Sequence, residues 1–200
     1  MAVRTPFLLA ATSLLLPALQ AQSRPDLYEC EGCEAIHEHD FAGLSWRATI
    51  PSRGEPGERF VLTGRVVKPD GVTPAAGVVI YVHHTNAAGI YPRRGDERGW
   101  ARRHGYLRGW VVTNDSGQYR FDTIRPGPYP GRRDPAHIHM TIKEPARREY
   151  WIDEVVFEDD SLVTPRYRAA EQKRGGSGIV AVRRDASGTW IARRDIVLEP

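Results

Sequence analysis

Among the residues of this 200-residue chain that could do chemistry, His137 and His139 come first, one residue apart in Pro-Ala-His-Ile-His-Met-Thr-Ile. The segment alternates as a strand. His137, His139 and Thr141 then point one way and Ile138, Met140 and Ile142 the other, because successive side chains of a strand face opposite sides. One face belongs to a core, and the other offers two imidazoles side by side, a common way for a strand to present metal ligands. Just upstream, Tyr129 lies in the Pro/Gly-rich loop Arg-Pro-Gly-Pro-Tyr-Pro, and Tyr91 ends Thr-Asn-Ala-Ala-Gly-Ile-Tyr, directly after a second strand. Two phenols and two imidazoles form a hard, oxygen-rich donor set; phenolates suit Fe(III), and no thiol lies in this part of the chain. Composition alone leaves packing as the alternative, since His-x-His on a strand and a tyrosine beside a turn are both common.

A second cluster sits near the N-terminus. Cys30 and Cys33 are the only cysteines, with His37 and His39 close behind. A close pair in an oxidising compartment reads as a disulfide. The alternatives are a structural metal held with the two histidines and free thiols, the last disfavoured by flanking acids that raise thiol pKa values.

The elements that must position these groups read as short strands. Residues 59–68 alternate with Phe60, Leu62 and Val66 on one face, and 77–84 place Val79, Tyr81 and His83 opposite Val78, Ile80 and Val82. A long Gly- and Arg-rich loop, 85–108, lacks apolar periodicity, and such loops are often functional. Strands follow at 110–114 and 118–122 as a hairpin, then 137–142 and 150–157, a short helix at 166–174, and a final hairpin of 178–184 with 189–198. Short strands at turn-like spacing predict an all-β fold, a β-sandwich. His83 and His84 read as hydrogen-bonded wall residues and His104 as a solvated loop residue, while Trp100, Tyr106 and Trp110 could wall a pocket for a flat ring.

Length fits a single domain. Residues 1–22 read as a secretory signal, with Arg4 before the apolar run 7–16 and Pro17 and Ala21 after it. Residues 23–57 then form an extension with the Cys pair, and 58–200 the sandwich domain. The run is too short for a bilayer span, so the expectation is an exported protein without a membrane anchor. The net charge of +3 falls to +2 without Arg4, too balanced to point to nucleic acid or a membrane surface.

Four stretches in order carry a resemblance: Asn-Ala-Ala-Gly-Ile-Tyr ending at Tyr91, Thr-Asn-Asp-Ser-Gly-Gln-Tyr-Arg-Phe ending at Phe121, Thr-Ile-Arg-Pro-Gly-Pro-Tyr-Pro around Tyr129, and Pro-Ala-His-Ile-His ending at His139. Together they resemble the intradiol ring-cleavage dioxygenases, the catechol and protocatechuate 3,4-dioxygenase superfamily, over about residues 60–160. The resemblance implies a transthyretin-like (prealbumin-like) sandwich with long active-site loops. It implies a non-haem Fe(3+) held by Tyr91, Tyr129, His137 and His139, with Tyr129 the phenol that substrate displaces. It implies a catecholic substrate cleaved with O2 between its hydroxyl-bearing carbons to a cis,cis-muconate-type product.

Two positions depart from the family pattern. Asp134 stands where members carry Arg in Arg-Pro-x-His-x-His, with Arg133 one residue earlier, and Glu154 stands where members often carry Gln. Added negative charge near the metal disfavours a carboxylate-bearing substrate. Arg133, or Arg94, Arg103 or Arg108 from the long loop, is the candidate to compensate, so Tyr129, Arg133 and Glu154 form the expected catalytic set. Two other readings remain: a non-catalytic transthyretin-like or carbohydrate-binding-like sandwich, and an iron-binding protein without turnover. A homo-oligomer through an exposed sheet face is compatible with either.

Overall fold

The structure is a computed structural model that describes Met1 and residues 24–50 and 54–200; the expected signal segment lies outside the described residues. Among the described residues eleven strands run in chain order: β1 Arg47–Thr49, β2 Arg59–Val67, β3 Val79–His84, β4 Arg108–Val112, β5 Gln118–Ile124, β6 His137–Lys143, β7 Tyr150–Phe157, β8 Ile179–Val180, β9 Val182–Arg184, β10 Trp190–Arg193 and β11 Ile196–Val197. One-turn helices α1, Ala101–His104, and α2, Pro165–Ala169, interrupt them. One sheet runs β1-β5-β2-β10-β9 with β11 also on β2, and the other runs β4-β3-β6-β7-β8.

Alternation decides which side chains meet between the sheets. Phe60, Leu62, Val66 and Phe121 of the first sheet pack on Ile80, Val82, Ile138, Met140 and Ile142 of the second, all buried in one core. The Phe60 and Phe157 rings meet edge to face at 5.2 Å, a favoured aromatic geometry. The outer face of the second sheet is therefore free to carry the polar set, and β3 and β6 bring His83 directly opposite His139.

That outer face is partly covered. Ala35 and Ile36, in a 3-10 turn over Cys33–Glu38, pack on Val79 and Tyr81 as a second, smaller core. Trp110 Nε1 donates to the Ile36 carbonyl at 2.9 Å. Cys30 and Cys33 are joined as a disulfide, as expected, while His37 pairs with Glu149 and His39 stacks on Trp110.

Three expected elements differ. The helix expected over 166–174 stops after one turn at Ala169, capped at its start by Thr164 Oγ1 accepting from Tyr167 N. Its continuation is drawn off by tertiary bonds: Lys173 sits at φ +57° with its N–H donated to Asp153 Oδ2 at 2.7 Å. The strand expected at 178–184 changes sheets, β8 lying parallel to β7 and β9 antiparallel to β10. The last strand breaks at Arg194 and Asp195, where the Asp195 carboxylate replaces a backbone acceptor for Arg65 N.

Candidate metal centre and its cleft

Two loops meet to place the phenols. Asn86 folds residues 86–90 into a tight turn, accepting through Oδ1 from the N–H groups of Ala88 and Ile90. Thr85 Oγ1 donates to the Gly127 carbonyl at 2.7 Å, and Gly127 N returns a bond to the Asn86 carbonyl at 2.9 Å. Gly89, at φ +78°, lies so close to this second loop that a Cβ there would stand 1.9 Å from the Pro128 carbonyl oxygen, so only glycine fits. The two loops thus travel as one unit carrying Tyr91 and Tyr129.

Their hydroxyls stand 2.6 Å apart. Tyr129 Oη is 3.1 Å from His139 Nε2 and 3.2 Å from His137 Nε2, and the two Nε2 atoms are 3.1 Å apart. All four expected ligands are gathered. Each imidazole is held with Nε2 inward: His137 Nδ1 is 2.7 Å from the Pro135 carbonyl, which only an N–H can satisfy, and His139 Nδ1 faces Glu154 Oε1 at 3.6 Å. Both Nε2 lone pairs are therefore directed to one point, the arrangement that carbonyl and carboxylate partners impose on metal-binding histidines. Burial pushes the Tyr91 phenol well up, reinforced by its bond to Tyr129, and burial raises Tyr129 as well. Burial, with the His139 charge, lowers His137. These shifts keep both phenols protonated and His137 neutral until a cation replaces the phenolic protons. Two phenols and two bare imidazole nitrogens are a fitting donor set for a ferric ion. Among the described residues no group of three or more His, Cys, Asp or Glu gathers as a rival site.

Glu154 owes its place to a β-bulge. His137 pairs with Val156 and Ile138 with Val155, but Met140 pairs with Ile152, so Asp153 is an extra residue in β7. Strict alternation would send Glu154 to the core with Tyr150 and Ile152; the extra residue returns it to the histidine face. Asp153 itself is buried and bonded to Arg174 Nη1 at 3.3 Å. Burial raises the Glu154 pKa, but the His139 imidazole beside it outweighs this and holds the carboxyl at about 2.

A cleft of about 340 Å³ opens beside the ligands, with Tyr129, His137 and His139 at its base. Arg132, Asp134, Glu154 and Tyr167 form its walls. Tyr91 does not line it. Arg132 Nε binds Asp134 Oδ2 at 2.9 Å, so Arg132 is the arginine beside the cleft, whereas Arg133 is exposed and outside its walls. The loop arginines are engaged elsewhere: Arg94 lies over the Tyr106 ring, Arg103 pairs with Glu31 and Arg108 with Glu38.

Behind His139 the rings form a column. His83 stacks on His139 at 4.5 Å and on His104 at 3.7 Å, and Trp100 stacks on His104 at 5.4 Å. His104 is thus buried, its Nδ1 2.7 Å from Tyr81 Oη, and not solvated as its loop position suggested. The glycine of the disulfide loop, Gly32, presses on it, a Cβ there falling 2.9 Å from His104 Nε2. His84 is bonded on both ring nitrogens, to the Thr85 carbonyl and to Thr123 Oγ1, while His83 Nδ1 is buried without a partner among the described residues. Sequence reading missed Arg132 and Tyr167 as wall residues; a cleft that joins one loop to a distant one-turn helix leaves no local pattern. Trp100, Tyr106 and Trp110 do not line the cleft.

Comparison with known proteins agrees with this geometry. A family model described as Dioxygenase matches residues 45–199. The protocatechuate 3,4-dioxygenase beta chain of Burkholderia cepacia is 38% identical over 96 residues, 44% of this chain and 40% of the relative. The chlorocatechol 1,2-dioxygenase of Rhodococcus opacus is 36% identical over 135 residues, 56% of this chain and 49% of the relative. The chain thus spans under half the length of either. Among solved structures, the dioxygenase domain of a carbohydrate-binding fusion protein from Streptomyces sp. SirexAA-E superposes with TM-score 0.56 at 25% identity, covering 76% of this chain and 86% of that one. An intradiol ring-cleavage dioxygenase from Tetranychus urticae, at 23% identity, shares the fold with TM-score 0.57 over 82% of this chain and 89% of that one. Since the matched residues include both sheets and every converging donor, the chain belongs to the intradiol ring-cleavage dioxygenase family.

Proposed function

We propose that this protein is a non-haem Fe(III) dioxygenase that opens the ring of a catecholic compound between its two hydroxyl-bearing carbons, placing both atoms of O2 in a cis,cis-muconate-type product. The observation that carries the proposal is the convergence of Tyr91, Tyr129, His137 and His139, with both imidazole Nε2 atoms turned inward. The chemistry a ferric ion supplies when bound there is Lewis acidity toward the oxygens of a catechol.

The protein groups divide the remaining work. Tyr91 does not line the cleft, so it would stay on the metal as substrate enters. Tyr129 lines it, so it is the phenol an incoming diol meets and the one placed to take a diol proton on its oxygen. The Pro135 carbonyl and Glu154 hold the two imidazoles in one tautomer and orientation. The walls from Arg132 to Tyr167 confine the ring.

Visible absorption and metal analysis of the iron-loaded protein test this, with oxygen uptake on adding catechol. A phenolate-to-iron band at about one iron per chain, shifted by catechol, with oxygen consumed and a muconate-type product formed, is the expected result. Iron without oxygen uptake across a panel of catechols would mean a binding protein, and no iron would leave only the fold.

The same proposal places the protein outside the cytoplasm. The apolar run 7–16 after Arg4 and the Cys30–Cys33 disulfide support export. N-terminal sequencing of protein recovered from the extracytoplasmic fraction should find the mature chain starting near residue 23.

A further inference from the structure

The cleft wall carries a carboxylate with no arginine or lysine paired to it among the described residues, and that charge bears on which catechol fits. Asp134 is answered by Arg132 at 2.9 Å. Glu154 makes no ion pair with an arginine or lysine among the described residues: its Oε1 faces His139 Nδ1 at 3.6 Å, and Arg194, the guanidinium that feels its charge, is buried in the core and bonded to backbone carbonyls, out of reach of a substrate. An imidazole that gives its Nε2 to a metal brings no formal charge to this contact. The charge of a ferric ion is met by phenolate and diol oxygens, so it does not cancel Glu154 either. The Glu154 side chain is 36% exposed, open to the cleft yet beside buried rings, where a charge acts more strongly than in water.

Beyond Glu154 there is room. Glu154 and Tyr167 also line an adjoining hollow of about 270 Å³ that continues past Trp151 to Glu171. The Glu171 carboxylate is occupied by the N–H groups of Gly178 and Ile179, and Arg174 is turned to Asp153 and Asp26. A ring seated with its diol at the four donors would send a substituent along this wall, past Glu154.

We infer that the preferred substrate is a catechol bearing a cationic, ammonium-type arm, with Glu154 as the residue that selects it against carboxylate-bearing catechols. This rests on the catechol-cleaving reading of the site. The test compares three probes on the iron-loaded protein: 4-(2-aminoethyl)catechol, 4-methylcatechol and 3,4-dihydroxyphenylacetate. Affinity is read anaerobically from the shift of the phenolate band, and kcat/KM from oxygen uptake. The ammonium compound should bind about tenfold or more tightly than the carboxylate compound, a ratio that shrinks as salt is raised. In Glu154→Gln the ratio should fall to near one; because it is taken within each variant, any effect acting through His139 cancels. A neutral catechol that binds and is cleaved while the ratio is near one in the unmutated protein, or is the same in Glu154→Gln, would overturn the inference and leave the dioxygenase standing. If no probe shifts the band, both fall.

Discussion

The two imidazoles are each held by a neighbour outside the donor set, whereas the two phenol hydroxyls bond within it. His137 is fixed by a backbone carbonyl that no substitution removes, whereas Tyr129 is fixed by a loop and stands at the cleft. Tyr129→Phe should therefore keep iron through the other three donors but lose the proton acceptor. Its kcat should fall at least about 100-fold, with iron content near that of the unmutated protein, measured by metal analysis beside oxygen uptake. The four converging side chains were legible in the chain because two of them share one strand face and the other two sit in short, recognisable loops. Arg132 was not legible. Arg132 and Arg133 are adjacent in sequence, and only the path of the loop decides which one reaches the cleft.

At the scale of elements, the bulge in β7 is the least predictable feature and the one on which the site most depends. Its extra residue is braced by Arg194, a buried guanidinium with no ion-paired carboxylate among the described residues. It donates to the Asp153 carbonyl, to Met140 Sδ at 3.4 Å and to the Arg174 carbonyl at 3.4 Å. Arg194→Met should fill the space yet leave the Asp153 carbonyl unanswered, the Arg174 carbonyl keeping its bond from Asp153 N at 3.2 Å, costing about 2 kcal/mol. Arg194→Ala adds a cavity and should cost about twice that. Thermal melts of both variants check the order, and iron titration should show weaker binding in each, because a relaxed bulge frees Glu154 from His139. The strands themselves were readable because alternation is a local pattern. The bulge, the truncated α2 and the strand that changes sheets all answer to partners far away in sequence, namely Arg194, Asp153 and β10.

Across the whole molecule, the buried histidines set how the fold answers to pH. Burial holds both His84 and His104 at about 4, below the usual 6.5, the His139 charge adding to the effect in each. Both are neutral in the fold. As pH falls below 6.5 the unfolded chain takes up protons that the folded chain refuses, so stability drops. The loss should amount to about 1.4 kcal/mol per pH unit for each group; the His84 and His104 contributions level off near pH 4, where their folded forms are protonated too, while buried His83, held well below its ordinary value by burial, continues the fall. Melting temperature measured from pH 8 to 4 should be flat at the upper end and fall through this window. Replacing His104 by Phe, which keeps a ring in the column, should reduce the slope.

The pairing of β10 and β11 with β2 has a consequence in time. Trp190 lies beside Phe60 and Val197 beside Val67, so the central strand of one sheet is completed by a segment 130 residues further along the chain. Until that segment arrives, β2 has one bare edge and the core of Phe60 and Leu62 has no lid. Folding must close a very long loop before its contacts repay the lost freedom, and such topologies fold slowly. On a ribosome-bound chain that edge of β2 must therefore stay unpaired until residues 190–197 have emerged, long after β2 itself has been made.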